Sequence, residues 1–108
     1  MMNKALFEST LYTRGRWYTV KLSSDGSDIT IESCDSELTG ASITSTYLKT
    51  VENFHVIDYK LDISLTEVSS ATSVNYGIRQ FTDGIQGITI PAKANFTTCT
   101  VSIFGYFE

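Results

Sequence analysis

The chain is poor in the residues that most chemical sites require, with one histidine, two cysteines and one tryptophan in 108 residues. His55 alone cannot build a zinc or other transition-metal centre, because such centres need three or four nitrogen and sulfur donors and no Cys-x-x-Cys spacing is present. It also lacks an identifiable partner for triad or general acid–base chemistry, so no catalytic residue, metal or cofactor is assigned and an enzyme is not expected. Cations are scarce too. Eight Lys and Arg face twelve Asp and Glu, giving a formal net charge of -4 and a pI near 4.8. Phosphate-backbone affinity rests on clustered cations that release counterions, so nucleic acid is excluded as a partner.

No apolar run approaches the roughly 18 residues of a membrane span, and the first residues lack the apolar stretch of a signal peptide. The doubled Met1 and Met2 read as an initiator appended to a domain that could belong to a longer polypeptide. Compartment is therefore not fixed by this end. A virion or extracellular setting is favoured, and a cytoplasmic one if the chain is an inhibitor.

Cys34 and Cys99 fall among strand-like residues such as Ile31 and Val101 and are expected as two packed thiols. A single inter-sheet disulfide is the alternative. A single proline and the lack of Ala, Glu and Lys clusters, against plentiful Ser and Thr, leave little reason to expect helices.

What the chain does have is alternation. From Phe54 to Thr66, His55, Ile57, Tyr59, Leu61, Ile63 and Leu65 alternate with Val56, Asp58, Lys60, Asp62, Ser64 and Thr66. A period of two places an apolar row on one face of a strand and a polar row on the other, so Ile57 to Leu65 should be buried and Asp58, Lys60 and Asp62 exposed. His55 shares the apolar parity and is expected as a hydrogen-bonded core or edge residue. The run is about twice the modal strand length of 5 to 6 residues and should bend, carry a bulge, or pair with different partners at its two ends.

Trp17 to Leu22 and Ile29 with Ile31 predict a hairpin closed around Asp25-Gly26. Ser36 to Gly40 predicts a break, Ile43 to Val51 one strand and Ser69 to Ser73 a loop. Val74, Tyr76 and Ile78 predict a strand, Thr82 to Gly84 a turn, and Ile85 to Ile90 a strand stopped by Pro91. Phe96 to Phe107 forms the last strand. The organisation is an N-terminal arm, 1–16, and one domain, 17–108. The fold class is all-β, an antiparallel two-layer β-sandwich of jelly-roll or immunoglobulin-like outline, with a small barrel as alternative.

Two clusters depart from ordinary patterning. Arg14, Arg16, Trp17 and neighbouring Tyr12 and Tyr18 mix guanidinium and aromatic groups of the kind that dominate binding hot spots and stack on sugar rings. Alternation sends Trp17 and Tyr18 to opposite faces. Arg14, Arg16, Trp17 and the loop residue Asp25 are the candidate ligand-binding residues. In the last strand, Cys99, Val101, Ile103 and Phe107 occupy one parity while Phe104 and Tyr106 occupy the other, so both faces must be covered. Phe104 and Tyr106 are the candidate subunit interface, with a homo-oligomer expected and a trimer placed ahead of a dimer.

Asp25 and Asp28 fit no EF-hand spacing. Asn95-Phe96-Thr97 matches the glycosylation sequon, a pattern common by chance. The functional expectation is a non-catalytic binding or structural module, of the viral or phage appendage or decoration kind, recognising a cell-surface glycan or protein receptor. The rival is a small acidic intracellular inhibitor presenting Glu32, Asp35 and Glu37 to a larger protein.

Overall fold

A computed structural model describes residues 15–64, 76–93 and 96–108. The arm up to Arg14, Leu65 and Thr66, the Ser69 to Ser73 loop, Val74 and Asn95 lie outside the described residues. Asp25 begins the first hairpin loop. Its Oδ1 accepts the N–H groups of Ser27 at 2.8 Å and Asp28 at 2.7 Å, and Gly26 supplies the positive φ of 89° that a side chain resists. The loop joins β1 (Arg16–Ser24) to β2 (Ile29–Cys34). A 3₁₀ turn, Ser36–Leu38, then drops Leu38 into the core.

The single strand expected from Ile43 to Val51 is instead a tight hairpin of β3 (Ser42–Thr44) and β4 (Tyr47–Lys49), turned at Ser45 with φ 55°. Beyond it run β5 (Phe54–Ser64), β6 (Ile78–Gln80), β7 (Gln86–Thr89) and β8 (Thr98–Phe107). The strand expected around Tyr76 and Ile78 thus begins only at Ile78, with Tyr76 preceding it. All pairings are antiparallel, in two four-stranded sheets ordered β2-β1-β8-β5 and β3-β4-β7-β6. The sheets pack as a sandwich and neither closes into a barrel.

The core lies between them. Val20 and Leu22 of β1, Val101 and Ile103 of β8, and Leu48, Ile88 and Ile90 of the second sheet are fully buried. An aromatic group closes one end: Tyr18 meets Phe54 edge-on at 5.2 Å and Phe107 at 5.9 Å. Among the described residues no charged side chain is buried, and polar bonds bridge the margin of the core. Val56 N–H donates to Gln86 Oε1 and the Thr50 hydroxyl to Gln86 O, both at 2.6 Å.

The long strand carries a bulge, one of the alternatives its length predicts, and it reverses the assignments of His55 and Val56. Val56 pairs with Gly105 and Asp58 with Phe104, leaving Ile57 as the extra residue. Before it Phe54 and Val56 face inward; after it Tyr59, Leu61 and Ile63 do. His55, expected on the apolar row, is therefore on the outer face, because an extra residue switches the parity of everything beyond it. Asp58, Lys60 and Asp62 are exposed as expected. Their apolar neighbours are only half-buried, since β5 is an edge strand.

Both cysteines are free thiols, Cys34 half-buried and Cys99 buried. They occupy β2 and β8 of the same sheet with β1 between them, roughly 10 Å apart at two strand spacings and beyond the roughly 7 Å Cα limit for a disulfide. Burial, with a smaller push from the Asp62 charge, raises the Cys99 thiol from 9.0 to about 11. Because the folded value exceeds the ordinary one, the contribution is complete below about pH 9 and is lost as pH rises toward 11. Tyr18 and Tyr76, also raised by burial, add to the alkaline loss. A thiol reagent at pH 8 should modify Cys34 in the native protein and Cys99 only after denaturation. Equal native rates at both would contradict the packing.

Candidate functional site

Since Tyr18, Val20 and Leu22 fill the core, strand alternation turns Trp17 and Thr19 to the outer face of the first sheet. Trp17 is 49% exposed, the most exposed large apolar side chain among the described residues. It pairs in register with Phe104, and their rings meet at 5.2 Å and 47°. Lys60 reaches across from β5 to place Nζ 5.0 Å from the centre of the same indole. Further along, His55 stacks on Tyr106 at 5.0 Å and 16°. His55 Nε2 lies 3.3 Å from Glu108 Oε2 without aligned hydrogen-bond geometry.

Trp17 also forms a wall of a cleft of about 260 Å³ lined by Arg16, Tyr18, Asp35, Ser36 and Glu37. This is close to the lower end of small-molecule pockets, about 300 Å³, and suits one ring-sized group. The wall is held by the chain itself. Asp35 Oδ2 accepts the Thr19 N–H at 2.7 Å, which fixes the end of β2 to β1. Glu37, at the start of the 3₁₀ turn, accepts the Tyr18 hydroxyl; burial first and this bond second raise that hydroxyl above its ordinary value. Each carboxylate keeps unused lone pairs, and Arg16 keeps its fork of donors.

The sequence-derived candidates divide accordingly. Arg16 and Trp17 meet in the cleft, while Arg14 lies outside the described residues. Asp25 lies eight residues from Trp17 along one hairpin arm, roughly 26 Å at 3.3 Å per residue. Its carboxylate is engaged by the Ser27 and Asp28 N–H groups, which lower its pKa. Phe104 and Tyr106, assigned separately to a subunit interface, share the outer face with Trp17. Lys60, Asp35, Ser36 and Glu37 were not anticipated here. A fixed register between β1, β5 and β8 is what brings Lys60 and Phe104 to Trp17, and no local pattern encodes it.

The acidic residues of the inhibitor reading are each engaged internally: Glu32 by the Ser23 hydroxyl at 2.6 Å, Asp35 by Thr19 and Glu37 by Tyr18. The opposite sheet carries its own aromatic and cationic group. Lys49, Gly87 and Arg79 share one register row, and a Cβ on Gly87 would meet the Phe81 ring at 2.6 Å. Arg79 lies 4.9 Å from the Tyr47 ring and 5.2 Å from Phe81, while Lys49 bonds Asp83 at 2.6 Å. Here Arg79 stands over both rings with Lys49 also over Phe81, and the group braces the short strand β6.

A third region, a cleft of about 310 Å³, is lined by Glu52, His55, Asp83 and Glu108 among others, with Asp83 paired to Lys49 and Glu108 close to His55. Among the described residues, no three His, Cys, Asp or Glu side chains converge as metal ligands would. Comparison with family models, with curated proteins and with solved structures gives no match.

Proposed function

We propose that the chain is a non-catalytic binding module of the viral or phage appendage or decoration kind, which recognises a carbohydrate at a surface through Trp17 and its cleft. The carrying observation is the half-exposed indole on a rigid sheet face beside a polar cleft. A sugar ring offers an apolar C–H face and a rim of hydroxyls. The indole matches the first, and Arg16, Asp35, Ser36 and Glu37 match the second. Arg16 beside Asp35 and Glu37 in the cleft wall interrupts the continuous acidic patch that an inhibitor would present, which favours this reading. A virion or extracellular setting follows from the same proposal.

Trp17 is the only tryptophan, so intrinsic fluorescence reports on the site directly. Titration with a panel of oligosaccharides should quench or blue-shift the emission for at least one of them. On a glycan array, Trp17→Ala should lose tenfold or more of the binding while its far-UV circular dichroism is unchanged. Emission unmoved by every glycan, together with unchanged array binding of Trp17→Ala, would end the proposal.

A second reading is favoured by the half-buried Phe104 and Tyr106 on the same face. A second or third copy seated there would give the homo-oligomer, a trimer ahead of a dimer, and each aromatic can bury about 150 to 250 Å². Light scattering should then show an oligomer that tolerates high salt and that the Phe104→Ser, Tyr106→Ser double variant dissociates. A wild-type monomer at high concentration leaves the face to a ligand.

A further inference from the structure

Resting on the carbohydrate reading, we propose that the cleft accepts a single neutral hexose ring at the end of a glycan, rather than a charged sugar or an extended chain. The first ground is charge balance. The cleft's own lining carries both signs, with Arg16 against Asp35 and Glu37, and a second cation, Lys60, stands over the indole at its border. A carboxylate on the ligand would meet Asp35 and Glu37, and an ammonium would meet Arg16 and Lys60, so either charge gains one contact and suffers another. The net charge of -4 on the whole chain adds little, because opposing fields are screened over about 8 Å at physiological ionic strength.

The second ground is donor and acceptor chemistry. Asp35 and Glu37 each accept one bond from this chain and retain lone pairs, while Arg16 offers N–H donors and has no carboxylate within ion-pair distance among the described residues. A ligand that both donates and accepts uses both sets at once, and vicinal hydroxyls do so without carrying charge. Two carboxylates held by backbone and tyrosine bonds also form a rigid template for hydroxyl positions, which distinguishes epimers.

The third ground is extent. The cleft of about 260 Å³ holds one ring. Past the part of Trp17 that lines the cleft there is no open platform, because the Lys60 ammonium lies over the indole and Phe104 is tilted against it at 47°. Additional rings of a chain would find no further flat apolar surface in line with the first.

The test is fluorescence titration of the full chain with four probes: a methyl hexoside, an oligosaccharide of the same hexose, the corresponding uronate and the corresponding 2-amino sugar. Among the common hexosides, at least one should bind within about threefold of its oligosaccharide, with both charged analogues at least fivefold weaker. Asp35→Asn, which keeps an acceptor for Thr19, should weaken that hexoside several-fold and reduce its preference over an epimer.

Affinity rising tenfold or more with chain length, or tighter binding of either charged analogue, would overturn the terminal neutral-ring inference and leave the carbohydrate reading standing. Silence from all four probes, oligosaccharide included, would overturn both.

Discussion

Gly105→Ala is expected to be among the most damaging single-methyl changes in this protein, with a loss of about 3 kcal/mol, at the upper end of what overpacking costs. A Cβ at this position would run into the His55 carbonyl oxygen and would meet the Phe54 ring at 2.6 Å. The first obstacle is backbone of the paired strand, so no rotamer change relieves it. The second is a core ring seated where the side chain would be. Gly105 lies opposite Val56 at the bulge, so backing away would disturb the ladder that sets the inward faces of β5. For a domain near 100 residues, a loss of that size lowers the melting temperature on the order of 15 °C. Calorimetry of the variant, with Gly77→Ala as a control at a glycine whose Cβ would meet nothing, checks it. Equal melting temperatures for the two would contradict the assigned packing.

Leu22→Ala should cost about 3 to 4 kcal/mol, Leu61→Ala clearly less, about 1 to 2, and Lys60→Ala almost nothing. Leu22 is fully buried between the sheets on β1, whereas Leu61 belongs to the edge strand β5 and only packs against the core from its margin. Removing Leu22 leaves a cavity whose walls, Val20, Val101 and their neighbours, are fixed by ladders on both sides. Removing Leu61 leaves a groove that water can reach. Denaturant melts of the three variants should fall in that order. A Leu61→Ala loss equal to that of Leu22→Ala would place β5 in the interior of the sheet.

The contrast between Leu22 and Leu61 shows where sequence reading stops. Alternation alone identifies both as inward-facing, because it records which side of a strand a residue occupies. It does not record the strand's place in the sheet, which depends on pairings between residues far apart in the chain. The same limit hid the position of the bulge, at Ile57. Phe54 and Val56 were the local sign of it, being apolar on the otherwise polar parity, and they outvote His55 for the core.

The split of the Ile43 to Val51 segment rests on Ser45 adopting a positive φ, which serine rarely does and no glycine announced. The candidate site was half legible. Arg16 and Trp17 stand out by composition, but Lys60, Asp35 and Glu37 reach them only through the register of β1 with β8 and the closure of β2 onto β1.

The edge position of β5 carries a consequence for behaviour at high concentration. An eleven-residue strand with one side unpaired among the described residues is a template on which other chains can assemble into fibrils. This one is guarded. The Val56 N–H is capped by Gln86 and the Tyr59 N–H by the Asp58 side chain at 2.8 Å, the bulge twists the ribbon out of flatness, and Asp58, Lys60 and Asp62 place alternating charge along it. Strand-to-strand growth is thereby blocked along the first half of the edge. Any fibril built on this edge would have to start from its second half, beyond the bulge.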